Sequence, residues 1–243
     1  MQAPPTVFDR IAVRKNRTKA EKITGAKPTL FCTAHSQLLD RLLDVTRRFE
    51  TALASGPGSR AIASDLRKIH NLSQVTATIF TNPIPKDGIP AGPSIATVVS
   101  DEEWVPFGAK TFDLIVSSLS LHLVNDLPGA LVQLRRCLVP DGFFLATLFG
   151  GATLHELRTC LIEAETNLKG GAAPRVSPLV DVRDAGNLLV RAGFALPVAD
   201  IDSHVLKYDG LAALFNEIRA MGETNAVAER TRGLTTQRLF DEA

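Results

Sequence analysis

The chain has 243 residues, enough for one domain or one domain with a lid, and its hydrophobic fraction of 45% supports a globular core. A formal charge of +1 gives no electrostatic case for a nucleic acid partner. Cys32, Cys137 and Cys160 form no CxxC or Cys/His pattern, which argues for a reducing compartment and against a structural zinc or other metal, and no apolar run reaches the roughly 18 residues of a membrane-spanning helix.

Residues 1–30 are basic and weakly periodic. They lack the apolar core of a secretory signal, and Pro4, Pro5 and Asp9 fit a mitochondrial presequence poorly. Residues 34–49 place Leu38, Leu39, Leu42, Leu43 and Phe49 at helical spacing. ATIFT (77–81) reads as a short strand, followed by a Pro- and Gly-rich loop at 82–93. IATVVS (95–100) reads as the next strand. FDLIVSS (112–118) is apolar at consecutive positions, as a strand buried on both faces requires. Residues 126–138 predict an amphipathic helix with Pro128 in its first turn. A turn at 139–142 leads into a strand at 143–150. Residues 181–194 predict a helix closing on Gly193, and residues 196–208 a late strand. Cys137 and Cys160 fall on helical patterns and read as core thiols. Strands alternating with helices at this spacing predict a doubly wound α/β sheet.

In such a sheet, ligands sit beyond the carboxyl ends of the strands, where strand order reverses. Three pieces converge there. Asp101 and Glu102 follow one strand, and Ser117–Ser120 follow another. In ALASGPGSR (52–60), Gly56 and Gly58 let backbone approach a ligand with no Cβ in the way. His122 lies at the mouth of this crevice, either as a base near its ordinary pKa or as a plain loop residue.

These motifs, in this order, resemble the class I S-adenosylmethionine-dependent methyltransferases. Within them the chain looks most like the branch of the mitochondrial complex I assembly factor, an arginine hydroxylase. That branch is related to the biotin-pathway malonyl carrier-protein methyltransferase. The resemblance is carried by VFDR (7–10), SDEEWVPF (100–107), FDLIVSSLSLHLVNDLPGAL (112–131), PDGFFLATLFGGATLHELR (140–158), residues 170–194 and AMGETNA (220–226). It implies a Rossmann-like methyltransferase fold, and S-adenosyl-L-methionine held near Ala54, Gly56, Gly58, Thr81, Asp101, Glu102, Ser118 and Leu119. Asp101 would take the adenine amino group, and Asp113 would be structural. His122, His155 and Arg175 are the implied substrate contacts. Residues 1–33 form a basic N-terminal segment, either a solvated helix or a flap over the cofactor. Residues 34–243 form the methyltransferase-like domain, with a lid or acceptor insertion near 151–180. The implied partner is a protein or carrier-protein substrate, such as a complex I subunit, with no nucleic acid. The implied location is the cytoplasm in a bacterium and the mitochondrial matrix in a eukaryote.

The chain also departs from the family pattern. Ala54 stands where the first strand ends in an acid, and Arg60 stands at the third glycine. No Asp or Glu lies between Asp65 and Asp87 to grip the ribose, which leaves Thr81 or Asn82 for a single hydrogen bond. Leu123 replaces a customary Trp. The family's last antiparallel strand is expected to be missing, so the sheet edge at 143–150 should either be covered by residues 196–208 or pair in a homodimer. Two functions remain open: an enzyme transferring a methyl group or hydroxylating a protein, and a degenerate relative kept as a binding or assembly module.

Overall fold

The apolar strand at the centre of the chain, β4 (Phe112–Ser118), is buried along almost its whole length because helices cover both of its faces. The structure is a computed structural model, and it describes residues 5–23, 28–70, 72–80, 95–233 and 235–243. The remaining strands are β1 (Thr51–Ser55), β2 (Gln74–Ile79), β3 (Ile95–Val99) and β5 (Leu138–Thr147). They form a five-stranded sheet in the order β3-β2-β1-β4-β5, with every pairing parallel. The order reverses between β1 and β4, so the predicted doubly wound topology is present.

Side chains alternate along each strand and so divide the core in two. Ala52, Ala54, Leu114 and Val116 pack against Leu38 and Leu42 of α2 (Thr29–Leu43) and Ile62 and Leu66 of α3 (Ser59–His70). Leu53 and Ile115 point the other way. They meet Leu131, Leu134 and Cys137 of α4 (Leu127–Cys137), with Leu188 and Leu189 of α6 (Val182–Arg191) behind them. α5 (His155–Lys169), α7 (Leu211–Met221) and α8 (Gln237–Glu242) complete the periphery. At the amino end of the sheet, Asp113 accepts hydrogen bonds from the backbone N–H groups of Glu50 (2.7 Å) and Thr51 (3.0 Å), the structural role expected of it.

Several expectations need correction. The helix read at 34–49 begins earlier, at Thr29, and ends at Leu43. The turn expected at 139–142 is absorbed into β5 as an irregularity opposite Phe112 and Leu114. Cys137 is buried, but Cys160 is exposed on α5 and is not a core thiol. Residues 196–208 form no strand, and Leu196 and Val198 are 95% and 85% exposed. Asp200 and Asp202 disfavour burial in a sheet, and both bind Arg41 of α2 in solvent-exposed ion pairs at 2.8 and 2.9 Å. β5 pairs with β4 alone among the described residues, so residues 196–208 add no strand to its outer edge. Thr81 and the loop at 82–93 lie outside the described residues.

The basic start of the chain is a helix, α1 (Arg10–Lys22), capped by Asp9, whose side chain accepts from the Ala12 N–H at 3.0 Å. The strap before it is gripped from both sides. Asn125 Oδ1 accepts from the Val7 and Phe8 N–H groups at 2.8 and 2.7 Å, and Phe8 bridges antiparallel to Val227. Phe8, Val13, Phe80, Leu123, Ala226 and Val227 close into a third apolar cluster, which seats α1 beyond the carboxyl ends of the strands.

Candidate functional site

β1 ends in a turn that only glycine can make. Gly56 has φ +98°, and a Cβ there would lie 2.0 Å from the Ser118 carbonyl oxygen, so this position ties the β1 turn to the end of β4. At Gly58 a Cβ would meet nothing within 4 Å, so its face is open where α3 begins. Ser118 is buried and Leu119 turns through positive φ, so of the predicted residues Gly56 and Ser118 meet, with Gly58 and Leu119 next to them along the chain. Ala54 is fully buried, and its methyl points into the core under α2 and α3.

Across the crevice, Asp101 and Glu102 follow β3. Neither is free, because α1 brings arginines to both. Arg10 pairs with Asp101, and reaches Glu102 at 2.7 Å and the Leu123 carbonyl at 2.8 Å. Arg17 reaches Glu102 at 2.6 Å, with both side chains only 5% exposed. Burial alone would push the Glu102 carboxyl up, but the charges of Arg17 and Arg10 outweigh it and hold the group below its ordinary value. Burial likewise opposes the charge on Arg10, yet Glu102 and Asp101 raise its pKa. Arg10, Arg14 and Arg17 share one helix face, and their guanidinium groups stand over the Phe80 ring at 4.4, 5.2 and 5.3 Å. The cavity left between Ser55, Thr78, Ser100, Asp101 and Glu102 is about 10 Å³, room for one water at most.

His122 is buried on the short helical turn Leu121–Leu123, on the β4 side of the crevice. Its Nε2 lies 2.9 Å from Glu223 Oε2, and its ring forms a T-shaped pair with Phe149, 4.9 Å between centroids. The two other expected substrate contacts have partners of their own. His155 is exposed at the start of α5, with Nδ1 3.2 Å from the Ala152 carbonyl. Arg175 forks onto Glu165 of α5 at 2.7 and 3.0 Å, and pins the loop after α5 to that helix. Hydrogen bonds from Arg175 and Lys169 outweigh burial and hold the Glu165 carboxyl down at about 2.

Sequence reasoning missed Arg10, Arg17, Phe80, Asn125 and Glu223 as site residues. VFDR and AMGETNA signal two of them, Arg10 and Glu223, but nothing in either segment says that the two meet. Among the described residues no His/Cys/Asp/Glu group could hold a metal ion, and no helix is long and apolar enough to cross a membrane.

Comparison with known proteins agrees with this architecture. The methyltransferase domain family matches residues 53–146. Human mitochondrial arginine-hydroxylase NDUFAF5 is 41% identical over 228 residues, covering 92% of this chain and 65% of the human one. The zebrafish (Danio rerio) protein of the same name is 39% identical over 230 residues, covering 92% and 70%. The malonyl-[acyl-carrier protein] O-methyltransferase of Xylella fastidiosa (strain M23) is 31% identical over 240 residues, covering 96% and 79%. The chain thus spans slightly less than two thirds of the human relative's length. Among solved structures, a chain of the complex between the Haloferax volcanii Trm112 activator and a methyltransferase superposes with TM-score 0.59 at 14% identity, covering 91% of this chain and all of that one. A phosphoethanolamine N-methyltransferase of Haemonchus contortus, in complex with S-adenosylhomocysteine, has TM-score 0.52 at 15% identity, covering 75% and 44%. These two show the shared fold. With the reversed sheet, the Gly56 turn and relatives of such identity and coverage, the chain belongs to the class I S-adenosylmethionine-dependent methyltransferase superfamily, in the branch shared by the arginine hydroxylase and the malonyl carrier-protein methyltransferase.

Proposed function

We propose that this protein is an S-adenosylmethionine-binding enzyme that modifies an arginine of a protein substrate during respiratory complex I assembly. The supporting observation is the cradle. Gly56 is locked against Ser118, Gly58 is open above α3, and Asp101, which lines one small cavity with Ser55, has the acceptor capacity an adenine amino group needs once Arg10 is withdrawn. The residues present therefore fit the donor at its adenine and glycine-turn ends. When bound, the donor supplies a sulfonium methyl group. The chain's own part is to orient the two reactants and to exclude water, because positioning is much of the catalysis for such a leaving group.

α1 serves as the flap over this cradle. Asp101 and Glu102 are engaged by Arg10, and Arg17 fills the floor, so donor binding requires α1 to withdraw. Titration calorimetry of the full chain with S-adenosylhomocysteine is the test: we expect a micromolar Kd, and, in an Arg10→Ala background that already lacks the flap contact, binding weaker by about tenfold when Asp101→Ala is added. Nanomolar binding by the unmodified chain, or an unchanged Kd when Asp101→Ala is added to a folded Arg10→Ala variant, rejects the flap and the adenine assignment respectively. Mass spectrometry of the substrate arginine then separates an added methyl group from an added oxygen.

A second reading has its own support. Ala54 offers no polar atom, and α1 closes the crevice with ion pairs internal to the chain. A protein that binds no donor at millimolar concentration yet still associates with complex I subunits is an assembly module on the same fold.

A further inference from the structure

Three polar atoms around the closed crevice have no exposed surface and no hydrogen-bond partner among the described residues: Arg17 Nε, His122 Nδ1 and Glu223 Oε1. Buried polar atoms are normally paired, so each needs a reason. Loose packing is not that reason, because every one of these side chains is fixed by a second contact. Arg17 is held by Glu102 at 2.6 Å, and His122 and Glu223 hold each other at 2.9 Å. The turn carrying Glu223 is also fixed. Gly222 has φ +75°, and a Cβ there would lie 3.0 Å from the Arg17 Cα, so α1 rests directly on this turn.

Glu223 differs from the other well-buried carboxylates. Glu102 and Glu165, with side chains 5% and 3% exposed, each receive permanent cations, Arg10 and Arg17 for one, Arg175 and Lys169 for the other. The Glu223 side chain is 11% exposed, and its ion-pair partner among the described residues is an imidazole. When a neutral His122 donates through Nε2 to Glu223, Nδ1 is an acceptor, so the dyad offers two buried acceptors with nothing donating to them. A carboxylate and an imidazole nitrogen left in that state match a cation rich in N–H donors. The Phe149 ring at His122 adds an aromatic surface of the kind on which a planar guanidinium stacks.

We propose that the His122–Glu223 dyad receives the guanidinium group of the substrate arginine, with Glu223 as the residue that selects arginine over neutral side chains. This rests on the arginine reading of the preceding subsection and names the residue that executes it. Access is through withdrawal of α1, which covers the Gly222–Glu223 turn.

The test uses the full chain and two separate probes. N-acetyl-arginine methylamide reports on the dyad, with its citrulline counterpart as a neutral isostere, and S-adenosylhomocysteine reports on the donor cradle. Wild type should prefer the arginine probe over citrulline by about tenfold. Glu223→Gln should abolish that preference while leaving the S-adenosylhomocysteine Kd within about twofold. Glu223→Asp, which keeps the charge, should retain part of the preference and so separates recognition from a folding defect. A wild type that binds both probes alike, or a Glu223→Gln variant that still prefers arginine, overturns the assignment. So does a parallel loss of S-adenosylhomocysteine binding in Glu223→Gln, which would move Glu223 to the donor side. Arginine preference without S-adenosylhomocysteine binding would support the dyad and refute the donor half of the proposed function.

Discussion

At the carboxyl ends of β3 and β4, acidic residues are matched by arginines from a helix about ninety positions away in sequence, whereas residues 195–208 leave four large apolar side chains in solvent. The first region is dense because α1 supplies Arg10 and Arg17 to a waiting Asp101–Glu102 pair, over an apolar floor of Phe8, Val13 and Phe80. The second is open because its own acids, Asp200 and Asp202, are satisfied by Arg41 outside the sheet. Buried charge thus organises the crevice, whereas the late segment carries solvent-exposed ion pairs to α2. Substitutions that remove one charge should therefore act strongly in the first region and hardly at all in the second.

The largest effect is expected at Glu102. Its removal leaves Arg17, only 5% exposed, without its carboxylate, so Glu102→Gln should cost about 3–5 kcal/mol in urea unfolding. A loss below about 1 kcal/mol would mean that α1 is not seated in solution. The sign of the pH dependence follows from the lowered Glu102 carboxyl. Its stabilisation is complete above the ordinary carboxylate range and is lost as pH falls through the depressed folded value.

Glu165 provides an internal control away from the crevice. Its carboxyl is held at about 2, against 4.5 for the unperturbed group. The Arg175 and Lys169 contacts therefore contribute fully above about pH 4.5 and disappear as pH falls toward 2. Glu165→Gln should destabilise by about 2–4 kcal/mol at neutral pH and remove that part of the acid transition. It should not alter S-adenosylhomocysteine binding, since Arg175 braces a loop and lies outside the cradle.

Arg10→Ala should show the opposite signs in stability and binding. We expect a loss of about 1–3 kcal/mol from the broken Asp101 and Glu102 contacts. We also expect S-adenosylhomocysteine to bind about threefold tighter or better, because the closed population that competes with it falls. Weaker binding in this variant would show that Arg10 helps to hold the donor and does not stand in its way.

These pairings also mark how far the sequence could be read. Strands β2, β3, β4 and β5 and helices α2, α4 and α6 were legible, because consecutive apolar residues at 112–118 and the Leu spacing of α2 are local patterns, whereas α3, α5, α7 and α8 were not read. Gly56 and Ser118 were legible as neighbours, because strand-end position alone brings them together. The arginines of α1 were not, because a basic, weakly periodic segment looks the same whether it is solvated or folded over acids far along the chain. Glu223 was hidden for a similar reason: its burial depends on Gly222 lying under Arg17, more than two hundred positions earlier in the sequence. The strand expected at 196–208 failed because alternation was counted and the pull of Arg41 on two aspartates was not.

The smallest effect is expected in that segment, and it completes the contrast. Leu196 and Val198 are 95% and 85% exposed, so the double variant Leu196→Ser, Val198→Ser should leave the unfolding free energy within about 0.5 kcal/mol of wild type. A loss above about 1.5 kcal/mol would show that the segment docks in solution, on its own sheet or on a second copy. Sedimentation separates those cases. An open parallel edge beside exposed apolar side chains favours self-association, so the wild type should sediment with concentration dependence and the double variant with less. Destabilisation without any change in self-association would instead place residues 196–208 against their own β5, and the contrast between the two regions would lose its electrostatic basis.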